Sequence, residues 1–171
     1  MLRRQFELLA ALYWTPVKAA SRIIDEGRLW FAVVAAGLAL VWMRAVTRLG
    51  VVYIADATIV IKVLAALAFG FVPGVVLVVT IWRSHESFGV MLRKDFSPLL
   101  TCVLMSFAAV YLPFAALSTA ARALPDTWFQ PLLGFGALVW FVALAACCTR
   151  TLWGTGYLIA AGSVADRKSV V

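Results

Sequence analysis

Long apolar runs alternate along this sequence with short segments that carry the charges. A bilayer-spanning helix needs about 20 predominantly apolar residues. Judged by their length, the apolar runs predict membrane-spanning helices over residues 29–47, 60–82, 96–120, 127–149 and 151–166. The first span needs Arg44 to snorkel at its end, and the fifth has only a short uncharged stretch, Thr151–Ala165. The pattern therefore predicts four or five spans.

These runs are expected to be helices rather than strands. Every backbone amide in hydrocarbon must be paired, and a helix pairs its amides within one segment. The alternating pattern of a membrane β-barrel is absent from the sequence. Pro98 and Pro131 are predicted near helix starts, where a missing N–H costs little, whereas Pro73 and Pro113 are predicted to kink their helices. The predicted fold class is all-α, a polytopic integral membrane helical bundle.

The first 28 residues differ from the rest because their apolar residues follow helical spacing on one face. In the first part this face holds Leu2, Phe6, Leu9 and Tyr13. Thr15-Pro16 is typical of a helix start, and the apolar face of the next helix holds Val17, Ala20, Ile23 and Ile24. The pattern predicts an amphipathic segment in the membrane interface over 1–28, followed by a transmembrane domain over 29–171.

Composition supports a membrane protein. Hydrophobic residues make up 64% of the chain and charged residues 13%, against roughly 45–50% and 25% in soluble domains. This excludes an ordinary soluble fold, and it excludes intrinsic disorder, which needs low hydrophobicity. The net charge of +7 would indicate nucleic-acid binding in a soluble protein. Here the basic residues lie between the apolar runs, so we expect no nucleic-acid partner.

The basic residues predict the orientation, because cytoplasmic loops are enriched in Lys and Arg. With five helices the N-terminal side holds nine of them and the other side five, and with four helices the numbers are eleven and three. Both counts place the N-terminus in the cytoplasm, and the Ala- and Val-rich predicted helices with their short loops favour a bacterial inner membrane. The segment 83–97 is either a solvated connector or a second interfacial helix. The residues predicted to contact anionic lipid headgroups are Arg3, Arg4, Lys18, Arg22, Arg28, Arg93 and Lys94.

Residues that carry chemistry are scarce. His85 is the single histidine, and no metal-binding HExxH or CxxC spacing occurs around it or the three cysteines. Cys147 and Cys148 suit helix packing better than acylation. We therefore predict no catalytic residue, no metal site, no cofactor and no enzyme activity.

Small residues favour close helix packing at two places. Gly70 and Gly74 have the small-xxx-small spacing and bracket a proline, and Gly134 and Gly136 form a similar pair in the fourth run. Such glycines pack a helix within its own bundle or against a second chain.

The order of these features resembles the Yip domain family of polytopic membrane proteins. The resemblance rests on the Pro-led segment Pro16–Ile24 directly before the first span, on the pair Ser87-Phe88, and on the Phe96-Ser-Pro98-Leu-Leu start of a later span. It covers residues 16–165 and implies a non-enzymatic protein with five helices and a cytoplasmic N-terminus. Eukaryotic members are linked to Rab GTPases, but this sequence lacks their long acidic, proline-rich N-terminal region.

The function expected from these observations is a membrane scaffold or adaptor. Two alternatives remain open, namely a transporter or channel component that oligomerises and an accessory subunit of a larger membrane complex. The expected partners are the lipid bilayer and either a second copy or other membrane proteins. Polar residues that could line a transport path are few and scattered, namely Thr80, Thr101, Ser106, Ser118 and Gln130.

Overall fold

A computed structural model describes residues 2–47, 57–83, 87–121 and 129–154. Every element within these ranges is a helix. The helices are α1 (Leu2–Trp14), α2 (Pro16–Glu26), α3 (Leu29–Thr47), α4 (Ala57–Ala66), α5 (Val72–Arg83), α6 (Phe88–Ala121) and α7 (Phe129–Trp153), with a π-helical turn, Leu67–Phe71, joining α4 to α5. The all-α prediction is confirmed for these residues.

Three stretches of helix are long and apolar enough to cross a membrane. They are Thr58–Trp82, which runs through α4, the π-helical turn and α5, together with Phe88–Ala120 and Pro131–Trp153. The apolar stretch of α3, Leu29–Ala45, is shorter. The helix α3 covers the same residues as the first predicted span.

The centre of the bundle is α6, against which α3, α5 and α7 all pack. Side-chain contacts show that α7 runs antiparallel to it. The Trp153 indole N–H donates to Asp95 at 2.7 Å, Ser106 Oγ lies 3.6 Å from Cys148 Sγ, and the rings of Phe107 and Phe141 meet edge to face. The start of α6 and the end of α7 therefore lie at the same end of the bundle.

Alanines allow α3 to lie close to α6. Ala32, Ala36 and Ala39 follow one another at helical spacing and are fully buried, as are Ala108 and Ala109 on α6. Small side chains let two helix backbones approach closely. The resulting van der Waals contacts favour association in a bilayer, where lipid tails are as apolar as the side chains and the hydrophobic effect does not drive helices together.

The π-helical turn lies directly before Pro73. The Val72 N–H donates to the Leu67 carbonyl, five residues back instead of four. A π turn of this kind is a recognised accommodation beside proline, which lacks an N–H and clashes with the preceding turn. The turn marks an irregularity directly before Pro73, while the kink predicted there stays a prediction.

The second and third spans differ from the sequence prediction in their bounds. α4 begins at Ala57, and α6 begins at Phe88, eight residues before the predicted start at 96. Residues 88–97 are not a separate interfacial helix, since they are the first turns of α6. Pro98 consequently lies inside α6 and not near its start, while Pro131 is the third residue of α7 as predicted.

The predicted break between the fourth and fifth spans is absent. Thr151, Leu152 and Trp153 belong to α7, which continues through Arg150. The helix ends where Gly154 adopts φ 63° and its N–H donates to the Arg150 carbonyl, a left-handed glycine cap. The remainder of the predicted fifth span, 155–166, lies outside the described residues.

Candidate functional site

Helices α1 and α2 form a hairpin held together by polar contacts at its open end. The Gln5 side-chain amide donates to the Glu26 carbonyl at 3.2 Å, and its oxygen accepts from the Arg28 N–H at 3.1 Å. Arg4 pairs with the Glu26 carboxylate at 2.7 Å. Gln5 is buried, and its pairing satisfies backbone groups where α2 ends. The hairpin is a defined unit and not a pair of independent surface helices.

Each helix of the hairpin buries one face against the bundle. The buried residues of α1 are Gln5, Leu8, Leu9 and Leu12, and those of α2 are Ala19, Ala20 and Ile23. Of the four residues on the predicted apolar face of α1, only Leu9 is buried, whereas Leu2, Phe6 and Tyr13 are exposed, so contact of this face with lipid stays a prediction. Periodicity identified one apolar stripe, whereas α1 carries two.

The second stripe of the hairpin is largely exposed, although the ring of Phe6 meets that of Phe31 on α3 edge to face. Leu2 is 53% exposed, Phe6 59% and Trp14 86%. Exposed apolar side chains of this size, next to basic residues, suit insertion into the interface of a bilayer.

The hairpin contacts α6 closely where α2 passes into α3. A Cβ added at Gly27 would lie 3.0 Å from Thr101 Cγ2 and 2.3 Å from the Ile23 carbonyl oxygen. Nearby, the Cys102 thiol lies 3.9 Å from the Ala20 carbonyl. Thr101 is six residues from Asp95, about 9 Å along the helix, so α2 lies toward the end of the bundle where α6 begins.

Tyr13 extends the contact between the hairpin and α6 beyond Thr101 and Cys102. Its hydroxyl donates to the backbone carbonyl of Ala109. Pro113 lies four residues after Ala109 and has no N–H, so that carbonyl lacks its normal helical partner. Burial raises the pKa of Tyr13 above that of a free tyrosine, which keeps the hydroxyl protonated and able to donate. The tip of the hairpin thus pairs the backbone group that the proline leaves open.

All seven basic residues predicted to contact lipid headgroups are exposed. Five lie on the hairpin or just after it, where Arg3 pairs with Glu7 at 3.0 Å and Arg4 with Glu26. Arg93 and Lys94 lie beside Asp95 near the start of α6. The structure therefore brings both groups toward one end of the bundle, although the headgroup contacts themselves stay a prediction.

An apolar cleft of about 310 Å³ opens between α6 and α7. Tyr13 closes the end of it nearest the hairpin. The walls are formed mainly by Pro113, Phe114 and Leu117 of α6 and by Leu132, Gly136 and Trp140 of α7. The sequence did not predict this cleft, because its walls come from residues of different helices.

The four predicted packing glycines face open space within the described part of the chain. No atom lies within 4 Å of a Cβ built at Gly70, Gly74, Gly134 or Gly136. Their role in close helix packing therefore stays a prediction, and Gly136 is placed at the cleft instead.

The polar side chains inside the bundle do not converge. Thr101 and Thr149 each donate to the carbonyl four residues back, and Thr80 donates in the same way to Val76. The three cysteines are buried and form no disulfide, and within 2–47, 57–83, 87–121 and 129–154 no cluster of His, Cys, Asp or Glu could hold a metal ion. His85 and the side chain of Gln130 lie outside the described parts.

Comparison of the chain with protein-family models, with curated proteins and with solved structures gives no match.

Proposed function

We propose that this chain is a multi-pass membrane protein of Yip-domain type that acts as a scaffold or adaptor and has no enzyme activity. In this proposal α3 is a fourth span beside the three longer apolar helices. The fifth span predicted over 151–166 is not included, because Thr151, Leu152 and Trp153 belong to α7 and the twelve residues 155–166 are fewer than the roughly 20 that a bilayer-spanning helix needs. The open end of the α1–α2 hairpin lies at the membrane surface, and its tip reaches into the bundle as far as Ala109.

The orientation has the N-terminus in the cytoplasm, in a bacterial inner membrane. It is supported by the exposed basic residues of the hairpin and of the start of α6, which lie toward one end of the bundle. Lys and Arg near span ends favour the cytoplasmic side and are attracted to anionic headgroups. Lys18, Arg22 and Arg28 are therefore expected to face lipid phosphates.

A scaffold is favoured over a transport component because most of the polar side chains in the interior have partners, the buried Ser118 hydroxyl being without one among the described residues. A transport path needs polar groups that face a common channel, and ionisable groups within spans are its usual sign. Here the threonines named above bond to their own helices, and Ser106 meets Cys148 across α6 and α7. These groups are used in packing.

One observation carries the proposal, namely the poor burial of the helix Thr58–Trp82. Only 17% of its most apolar stretch is buried, compared with 72% for the equivalent stretch of α6. Phe69 and Ile61 are 77% and 63% exposed. A helix that contributes so little to the core of its own chain offers a surface to another membrane protein. An accessory subunit of a larger complex would use the same surface. The two functions differ in stoichiometry, because an accessory subunit has one partner at a fixed ratio.

Site-specific photocrosslinking in native membranes tests this proposal. A benzophenone amino acid would replace Phe69 on the exposed helix, Phe135 on the exposed side of α7, or Phe107 in the core. We expect crosslinks to a distinct membrane protein from position 69, whereas Phe107 is 6% exposed and serves as the buried control.

The crosslinked partner should co-purify in mild detergent, and the Phe69→Arg variant should lose it while Phe135→Arg keeps it. Crosslinks from position 69 to lipid alone would contradict the scaffold proposal. Ion conductance by the purified chain in liposomes would favour the transport alternative.

A further inference from the structure

The cleft between α6 and α7 lies within two helices that are apolar enough to cross a membrane. Its α6 residues run from Ala109 to Leu117 and its α7 residues from Leu132 to Trp140. Each stretch covers eight residue steps, or about 12 Å of helix. The cleft therefore lies at hydrocarbon depth, in the half of the bundle away from Asp95 and Trp153.

The chemistry of the cleft selects an apolar occupant. Among the described residues, those that line it are all uncharged. The one hydroxyl at the cleft, that of Tyr13, is already paired with the Ala109 carbonyl. Water needs two to four polar partners to occupy a cavity, and apolar cavities stay dry.

The size of the cleft sets the size of the occupant. An apolar cavity of roughly 150 Å³ holds one benzene ring, and this cleft measures about 310 Å³. It therefore has room for about a dozen carbon atoms. In contrast, an α-helix with its side chains is about 10–12 Å across and would lie over the mouth without reaching the floor.

We propose that the cleft binds one acyl chain of a membrane phospholipid. The chain enters from the leaflet opposite the hairpin, runs between Leu117 and Leu132, and ends against the ring of Tyr13. Since Tyr13 belongs to the hairpin, binding of the acyl chain favours the docked position of the hairpin, and the two equilibria are linked.

This inference uses from the proposed function only the placement of α6 and α7 in the bilayer, and it does not depend on any protein partner. Resistance of the chain to alkaline extraction from membranes checks that placement separately. A failure of lipid binding in a chain that resists extraction would leave the scaffold proposal intact.

Two glycine variants provide a matched pair for the test. Gly136 lines the cleft, and a Cβ added there meets no atom within 4 Å, so Gly136→Leu is expected to extend its side chain into the cleft. Gly134 has equally open surroundings but does not line the cleft, so Gly134→Leu adds the same side chain elsewhere on α7.

The probe is a phosphatidylethanolamine that carries a diazirine near the end of one acyl chain, in vesicles of phosphatidylethanolamine and phosphatidylglycerol. After irradiation, labelled peptides are mapped by mass spectrometry. We expect labelling at the cleft to saturate and to exceed labelling at Phe135 on the open face of α7 at least threefold. Gly136→Leu should reduce it to the Phe135 level, and Gly134→Leu should leave it unchanged.

Equal labelling of the cleft and of Phe135, or unchanged labelling in Gly136→Leu, would overturn the proposal. So would a crosslinked dimer through the cleft that Gly136→Leu abolishes, because the occupant would then be a second copy. If Gly136→Leu does not fold, Leu132→Trp fills the cleft from its rim, where Leu132 is 56% exposed, and the same loss of labelling is expected.

Discussion

The contact between Tyr13 and Ala109 shows how one side chain completes a backbone that a proline has interrupted. Pro113 could be identified from the sequence, and the helical i−4 rule then points to Ala109 as the carbonyl without a partner. The donor could not be identified in this way, because it lies 96 residues away along the chain. Only the packing of the hairpin against α6 brings the Tyr13 hydroxyl to this carbonyl.

Removing the Tyr13 hydroxyl should destabilise the protein. In Tyr13→Phe the Ala109 carbonyl is left buried without a partner, at a cost of about 1–3 kcal/mol. Thermal unfolding in detergent, together with protease cleavage of the hairpin, measures the effect. Tyr111→Phe is the control, since it makes the same chemical change on a ring that stacks on Phe107 at 4.3 Å. Equal effects of the two variants would mean that the hydroxyl contact contributes nothing.

The Trp153–Asp95 hydrogen bond ties the end of α7 to α6. Trp153 is 5% exposed, and its partner is a carboxylate, so Trp153→Phe should cost about 1.5–3 kcal/mol. Hydrogen exchange should accelerate in the last turns of α7 and remain unchanged near Phe141. Trp140→Phe, on the open side of the same helix, should show neither change.

Among the elements, the N-terminal hairpin shows most clearly what a hydrophobic pattern leaves open. The helix start at Pro16 agrees with the structure, but Thr15 makes no side-chain cap. Helical periodicity cannot distinguish an apolar stripe that faces lipid from one that faces protein, and α1 has both. The bounds of α3 were predictable because charges flank it, whereas α6 starts early because a helix continues through Lys94 and Pro98 when α5 and α7 pack beside it.

The junction between α2 and α3 should tolerate no side chain at Gly27. In Gly27→Ala the new Cβ would lie 2.3 Å from a backbone oxygen, and overpacking of this kind costs about 1–3 kcal/mol. Gly37→Ala is the control within α3, where nothing lies within 4 Å, and it should stabilise the helix by about 0.5–1 kcal/mol. Unfolding in detergent compares the two, and a neutral Gly27→Ala would show that α2 can move away from Thr101.

For the whole molecule, the bundle predicts which segments face the same side of the membrane. Arg3→Cys and Ser87→Cys should react with a membrane-impermeant maleimide from the cytoplasmic side, and Thr119→Cys, near the other end of α6, from the opposite side. The wild-type chain is the blank, because its three cysteines are buried. Reaction of Ser87→Cys and Thr119→Cys from one side would contradict a spanning α6. Lys168→Cys extends the test to the tail, where cytoplasmic labelling means four spans.

The sequence predicted which residue types the candidate site contains but not how they are arranged. Charged side chains avoid burial, so the exposure of Lys18 and Arg22 could be predicted from the sequence. The cleft depends on how Pro113, Gly136 and Trp140 meet across two helices. That arrangement depends on how α6 packs against α7, and the pattern of one helix alone does not predict it.

The π-helical turn between α4 and α5 also bears on how this chain tolerates changes in length. Because the turn closes over five residues and not four, it holds one residue more than a regular helix needs. Deleting one residue among 67–71 would let the helix close regularly and keep Val72, Val76 and Val79 facing α6. Deleting one residue within α5 would instead rotate everything beyond it by about 100°. Insertions and deletions in related chains should therefore concentrate at this turn.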